Sequence, residues 1–171
     1  MQVTLCPLAT AALWSGRPTV GALMVLCEEN YVVLSRLVPG LPSRRGVLVS
    51  HVTGGVDLHL TIEVQSPYTT LMRLTHVFGG GEIGRSGFGS DPDVGLRVYH
   101  DARQVEVLEL RQTALPVHAE YRPPALVSKW RANLFLAKWL TFCLQQGHRF
   151  GGACAVPAPL AEDDDRVCSC G

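Results

Sequence analysis

The chain has 171 residues, with fifteen Lys plus Arg balancing fifteen Asp plus Glu, 47% hydrophobic residues and 18% charged ones. That composition is globular, and the length suits one domain that buries about two-thirds of its unfolded surface. A net charge of zero leaves no basic field to displace counterions from phosphates, so nucleic acid is excluded as an expected partner. No stretch approaches about eighteen uninterrupted apolar residues, so no membrane partner is expected, and Met1 to Trp14 lacks the basic n-region of a signal peptide. Cys27 and Cys143 sit in apolar helical patterns where a thiol acts as a small hydrophobe, a usage that points to the cytoplasm.

Residues 1–18 read as a flexible N-terminal extension. From Val20 to Val38, Val20, Leu23, Cys27, Tyr31, Leu34 and Val38 recur in steps of three and four, the stripe of an amphipathic helix. Thr19 stands at its N-cap and Pro39-Gly40 stops it. Two alternating runs follow, Val47 to Val52 and Asp57 to Val64, around Gly54-Gly55. A tight turn there pairs His51 with Leu58, Val49 with Leu60 and Val47 with Ile62, which gathers the apolar side chains on one face.

Thr69 to Phe78 makes a third strand, Met72, Leu74 and Phe78 alternating with Arg73, Thr75 and Val77. The glycines of the next stretch spell G-x-G-x-x-G at Gly79, Gly81 and Gly84. A dinucleotide fingerprint needs a helix to follow, and here another strand follows, so the segment reads as an inter-strand loop. Val94 to Tyr99 and Gln104 to Leu110 form a second hairpin with Asp101-Ala102 in its turn. Its register sets Leu96 against Val107, Val98 against Val105, Tyr99 against Gln104 and Arg97 against Glu106, with the last two within ion-pair reach.

Leu115 to Pro124 reads as irregular, with an edge segment around Val117 to Tyr121. Ser128 then caps a helix running to about Gln146 and ended by Gly147. Trp130, Leu134, Phe135, Trp139 and Phe142 spread over most of its circumference, so a second surface must cover it: the N-terminal helix, which is favoured, or another copy of the chain. Residues 151–171 read as a disordered tail whose Cys154, Cys168 and Cys170 lack the paired spacing of a zinc site. The expected fold is therefore α+β: an antiparallel sheet of about five strands flanked by an N-terminal and a C-terminal helix, spanning residues 19–150.

Four blocks carry a resemblance. They are Leu23 to Pro39 with Cys27-Glu28, Asn30-Tyr31 and Arg36-Leu37; Tyr68-Thr69-Thr70-Leu71; Arg97-Val98-Tyr99-His100-Asp101-Ala102 with Glu106-Val107; and Asn133, Phe135-Leu136, Trp139-Leu140, Cys143-Leu144 and Gly147. In these blocks the chain resembles the YqiB-like family of small bacterial proteins. The resemblance implies an intracellular bacterial protein and supplies no accepted activity. The N-terminal extension, the glycine-rich stretch after Phe78 and the tail depart from the family's pattern.

Acid, base and cation types concentrate at Arg97, Tyr99, His100 and Asp101. Hydrolysis there needs a nucleophile beside His100 and a group to orient it, whereas neighbours on a strand point to opposite faces and Asp101 suits a turn. The alternation also collects Glu63, Arg73, Arg97, Tyr99 and Glu106 on the sheet face away from Leu60, Ile62, Leu74, Leu96 and Val98, with Tyr68 at a strand entrance. The leading reading is a non-catalytic module that binds a small molecule or protein on this polar face, through Glu63, Tyr68, Arg73, Arg97, Tyr99, His100, Asp101 and Glu106. The alternatives are a small enzyme centred on His100 and Asp101, and an assembly protein that dimerises through the C-terminal helix. No metal site and no cofactor are expected.

Overall fold

The structure is a computed structural model, and it describes residues 18–78, 90–112 and 125–151. The N-terminal extension, the glycine-rich loop, the edge segment around Val117 and the tail with Cys154, Cys168 and Cys170 lie outside the described residues. Helix α1 spans Val20–Leu37, and the Thr19 hydroxyl accepts a hydrogen bond from Ala22 N at 3.1 Å, the N-cap that its sequence foretells. A single 3-10 turn at Leu41–Ser43 leads into the strands β1 (Val47–Ser50), β2 (Asp57–Gln65), β3 (Thr69–Val77), β4 (Ser90–Tyr99) and β5 (Gln104–Arg111). Helix α2, Ala125–Gln145, closes the domain.

The five strands are hydrogen-bonded in sequence order, every pair antiparallel, so the fold is the expected α+β meander with a helix at each end. The second hairpin has the expected register: Leu96 meets Val107, Arg97 meets Glu106, Val98 meets Val105 and Tyr99 meets Gln104. Its turn is His100 to Arg103, with Arg103 at φ 53°.

The first hairpin differs from expectation by one residue. Val47 pairs with Thr61, Leu48 with Leu60, Val49 with His59 and Ser50 with Leu58, so Leu48 and Ser50, rather than Val47 and Val49, face the core. A type I′ turn needs two residues at positive φ, and of the two glycines only Gly54 has it, at 75°. Pairing of β1 with β2 stops at Ser50 and Leu58, and Gly55 N donates to Val52 O at 2.9 Å, closing a longer loop that shifts the register.

One sheet face carries the core: Leu58, Leu60, Met72, Leu74, Val94, Leu96, Val98, Val105 and Val107 are all buried. Leu34 and Leu37 of α1, with Leu136, Trp139, Leu140 and Cys143 of α2, join the same cluster. The other arc of α2 is covered within the chain by α1, where Ala22 and Leu26 meet Trp130 and Ala137 with Leu23 and Leu134 alongside. Three details correct the sequence reading. The buried residues of α1 are Ala22, Leu26, Cys27, Asn30, Leu34 and Leu37, while Val20 is exposed, because the helix divides its face between sheet and helix. Ser128 lies in the first turn of α2 and does not cap it, since the helix begins at Ala125. Phe142 and Phe78, expected among the inward residues, are half exposed, and His76 takes the inward place at the end of β3.

After α2 the chain turns back at Gly147, and Phe150 is buried with its N–H donating to Leu37 O at 2.8 Å. No helix among the described residues is long and apolar enough to cross a membrane.

Candidate functional site

On the sheet face opposite the core, register places Thr61, Arg73, Gly95 and Glu109 in one row and Leu71, Arg97 and Glu106 in the next. Arg73 is the hub of the first row. Its Nη1 meets Asp93 Oδ2 at 2.8 Å, its Nη2 meets Glu109 Oε2 at 3.0 Å and its Nε meets Glu63 Oε1 at 3.3 Å. Arg111 holds the other oxygen of Glu109 at 2.6 Å. The hydrogen bond that Arg73 donates to Glu109, with the nearby acids, raises the guanidinium's pKa despite its partial burial, and Arg73 and Arg111 together hold the Glu109 carboxyl below its ordinary range. The guanidinium crosses β4 at Gly95, where an added Cβ would stand 3.4 Å from Glu109 Cβ and 3.9 Å from Arg73 Nη2.

Glu63 and Arg73 are thus brought together as the alternation proposed, while Asp93 and Glu109 were missed. Asp93 precedes Val94, where the strand was read to begin, and Glu109 is moved by a bulge: register shifts between Gly95 and Leu96, so Leu108 is set aside and exposed, and Glu109 turns to the polar face that strict alternation denies it.

In the second row Arg97 and Glu106 oppose one another on one face, yet the anticipated ion pair between them is replaced. Glu106 Oε1 takes Lys129 Nζ of α2 at 2.7 Å, and the Tyr99 hydroxyl stands between, 3.4 Å from Glu106 Oε2 and 3.4 Å from Arg97 Nη1. Lys129 wins because the helix lies over this end of β5, which a reading of the hairpin alone could not include.

Beside this pair opens a cleft of about 160 Å³ between the strands and the two helices. Val20, Leu23 and Met24 of α1 form one lip, and Tyr99, Gln104, Glu106, Lys129 and Asn133 supply the polar wall. Cys27 also lines it; burial, followed by the Glu106 charge, pushes its thiol up to about 11, so it stays protonated at neutral pH. Asn133 fixes the floor: its backbone O accepts from Asn30 Nδ2 at 3.0 Å, and its own Nδ2 donates to Lys129 O at 2.9 Å.

His100 belongs to neither group. Its Nε2 lies 2.7 Å from Thr70 Oγ1 and its N–H donates to Tyr68 O at 2.9 Å, while burial lowers its pKa. The Thr70 hydroxyl has the reach of a nucleophile-base pair, but Thr70 is 0% exposed and cannot meet a substrate. Asp101 is exposed in the turn and Tyr68 is 68% exposed, so the two stand apart from the other candidates.

A further polar group is buried at the far end of the core face. Trp139 Nε1 donates to His76 Nδ1 at 3.3 Å, which puts the ring proton of a neutral His76 on Nε2, facing Cys143 Sγ at 3.8 Å. His148 lies beside it, ring centroids 5.7 Å apart, with Nδ1 3.2 Å from Ser50 Oγ. Burial, and secondarily the neighbouring His148, pushes His76 down to about 4, and burial pushes the Cys143 thiol up to about 12. Both are therefore neutral packing groups at neutral pH. Among the described residues no group of three His, Cys, Asp or Glu is arranged to hold a metal ion.

Residues 33–149 match the family described as a protein of unknown function, DUF1249. Proteins called uncharacterized protein YqiB from Escherichia coli K12 and from E. coli O157:H7 are each 32% identical over 145 residues, which is 82% of this chain and 95% of theirs. No solved structure matches. Six residues of the cleft, Leu23, Met24, Cys27, Tyr99, Glu106 and Asn133, come from the blocks that first suggested the likeness. With two-thirds of its length matched by the profile and nearly the whole of these relatives covered, the chain belongs to the YqiB-like DUF1249 family.

Proposed function

We propose that the domain is a non-catalytic binding module whose ligand enters the cleft where the polar sheet face meets the two helices. One observation carries this reading: the cleft gathers an apolar lip from α1 and a polar wall from β4, β5 and α2. Concave sites with apolar lining and a few convergent polar groups are the usual form of ligand sites. The centre of the polar face is less suited, because Arg73 already holds three carboxylates. Catalysis lacks support at His100, whose hydroxyl partner is buried.

The test is retention of small molecules and proteins from a bacterial extract on the immobilised full chain, compared with Leu23→Trp, which fills the cleft. Species retained by the wild type and lost with Leu23→Trp support the reading. Retention that is equal on both, while circular dichroism shows both folded, sinks it. The half-exposed Phe142 of α2 favours a second reading, assembly between copies. Light scattering that shows a dimer abolished by Phe142→Ser would promote it.

A further inference from the structure

We infer that the cleft takes a neutral, ring-sized group bearing a hydroxyl, of the phenol class, with that hydroxyl donating to Glu106; the inference rests on the binding reading above. Size is the first ground. The cleft measures about 160 Å³, and an apolar cavity of about 150 Å³ holds a single benzene. The lining is the second. Val20, Leu23 and Met24 offer an apolar surface to a ring, and the polar groups stand together opposite them.

The hydrogen-bond inventory of that wall gives the ligand its polar end. Glu106 Oε1 is engaged by Lys129 at 2.7 Å, whereas Oε2 meets the Tyr99 hydroxyl at 3.4 Å, beyond the range of a well-made O–H···O bond. The Tyr99 hydroxyl is equally far from Arg97 Nη1, at 3.4 Å. This partly buried carboxylate oxygen thus has one long hydrogen bond, from Tyr99, and capacity to accept a shorter one from a ligand in the cleft. Charge then selects among donors. Lys129 and Glu106 are the charged residues of the lining and compensate one another. A ligand ammonium would meet Lys129 and a ligand carboxylate would meet Glu106, while a hydroxyl offers its proton to Oε2 with no like charge to face.

The experiment is a methyl and amide NMR titration of the full chain with p-cresol, toluene, benzoate and benzylamine. Saturable shifts at Val20, Leu23 and Met24 are expected with p-cresol, with a Kd of about 1 mM for a ligand of this size. Toluene should bind about tenfold more weakly, the loss of one hydrogen bond to a charged acceptor. Benzoate and benzylamine should bind more weakly than p-cresol. The p-cresol preference should vanish in Glu106→Met and all binding in Leu23→Trp. Should Glu106→Met fail to fold, the wild-type preference for p-cresol over toluene decides alone. Equal affinity for p-cresol and toluene overturns the hydroxyl assignment. Shifts confined to other parts of the surface overturn the site. Absence of any cleft shift, in a chain that still retains Leu23-dependent species from the extract, overturns the phenol class and leaves the binding reading standing.

Discussion

Arg73 on β3 reaches Glu109 on β5 across a strand whose crossing residue, Gly95, has no side chain to bar the way. Gly95→Ala should therefore be tolerated within about 1 kcal/mol, since its Cβ meets neighbours at ordinary contact distances. Gly95→Leu should cost about 1–3 kcal/mol by displacing the guanidinium and crowding Glu109, as a fall in the urea midpoint of unfolding. A different kind of sensitivity resides in His76. Its folded pKa of about 4 lies below its ordinary 6.5, so the unfolded chain binds the proton more readily. Stability should be full above about pH 6.5 and fall as pH drops towards 4, by up to about 3 kcal/mol. The cause is burial, with the neighbouring His148 second, and the N–H of Trp139 already occupies the lone pair on Nδ1. Urea melts across that window should show the slope in the wild type and a shallower one in His76→Gln.

At the scale of elements, α2 carries two aromatic residues three positions apart with opposite fates. Trp139 is buried against His76 and stacks on Phe135 with ring centroids 6.1 Å apart, while Phe142 is half exposed. Trp139→Ala should cost about 3–5 kcal/mol and Phe142→Ala less than about 1 kcal/mol, read from thermal melts followed by circular dichroism. Composition does not separate the two; the arc that packs on the sheet beside His76 does. The same limit runs through the fold. Alternation and turn residues made the strands and the second hairpin legible, because cross-strand pairing is local there. The first hairpin was misread by one residue because Gly54-Gly55 suits a tight turn, and the inward role of Ser50 depends on His148, ninety-eight residues later. At the cleft, Tyr99 and Glu106 were legible from the hairpin. Lys129 and Asn133 were not, since only the packing of α2 beside β5 brings them there.

On the scale of the whole molecule, the meander joins only neighbours in sequence, and the last described residues tie the ends together. Phe150 N binds Leu37 O at 2.8 Å, Arg44 Nη2 binds Phe150 O at 3.0 Å and Arg149 N binds Ser50 Oγ at 3.1 Å. Phe150→Ala should cost about 3–5 kcal/mol, since it empties a buried ring site, and should speed exchange of amides in β1 more than in β4, as hydrogen exchange would record.

This late clasp bears on how the protein is made. A ribosome that has just released Arg111 has delivered every strand of the meander, yet the apolar face with Met72, Leu74, Leu96 and Val98 still lacks α2, which comes next, and the Phe150 clasp, which comes last. The emerging sheet therefore waits with an oily face that α1 covers only in part, the condition in which nascent chains recruit chaperones or clump. Stalled ribosomes carrying the chain to beyond Gly151 should yield a protease-resistant domain. Those ending before Ala125 should yield one that is digested or bound by trigger-type holdases.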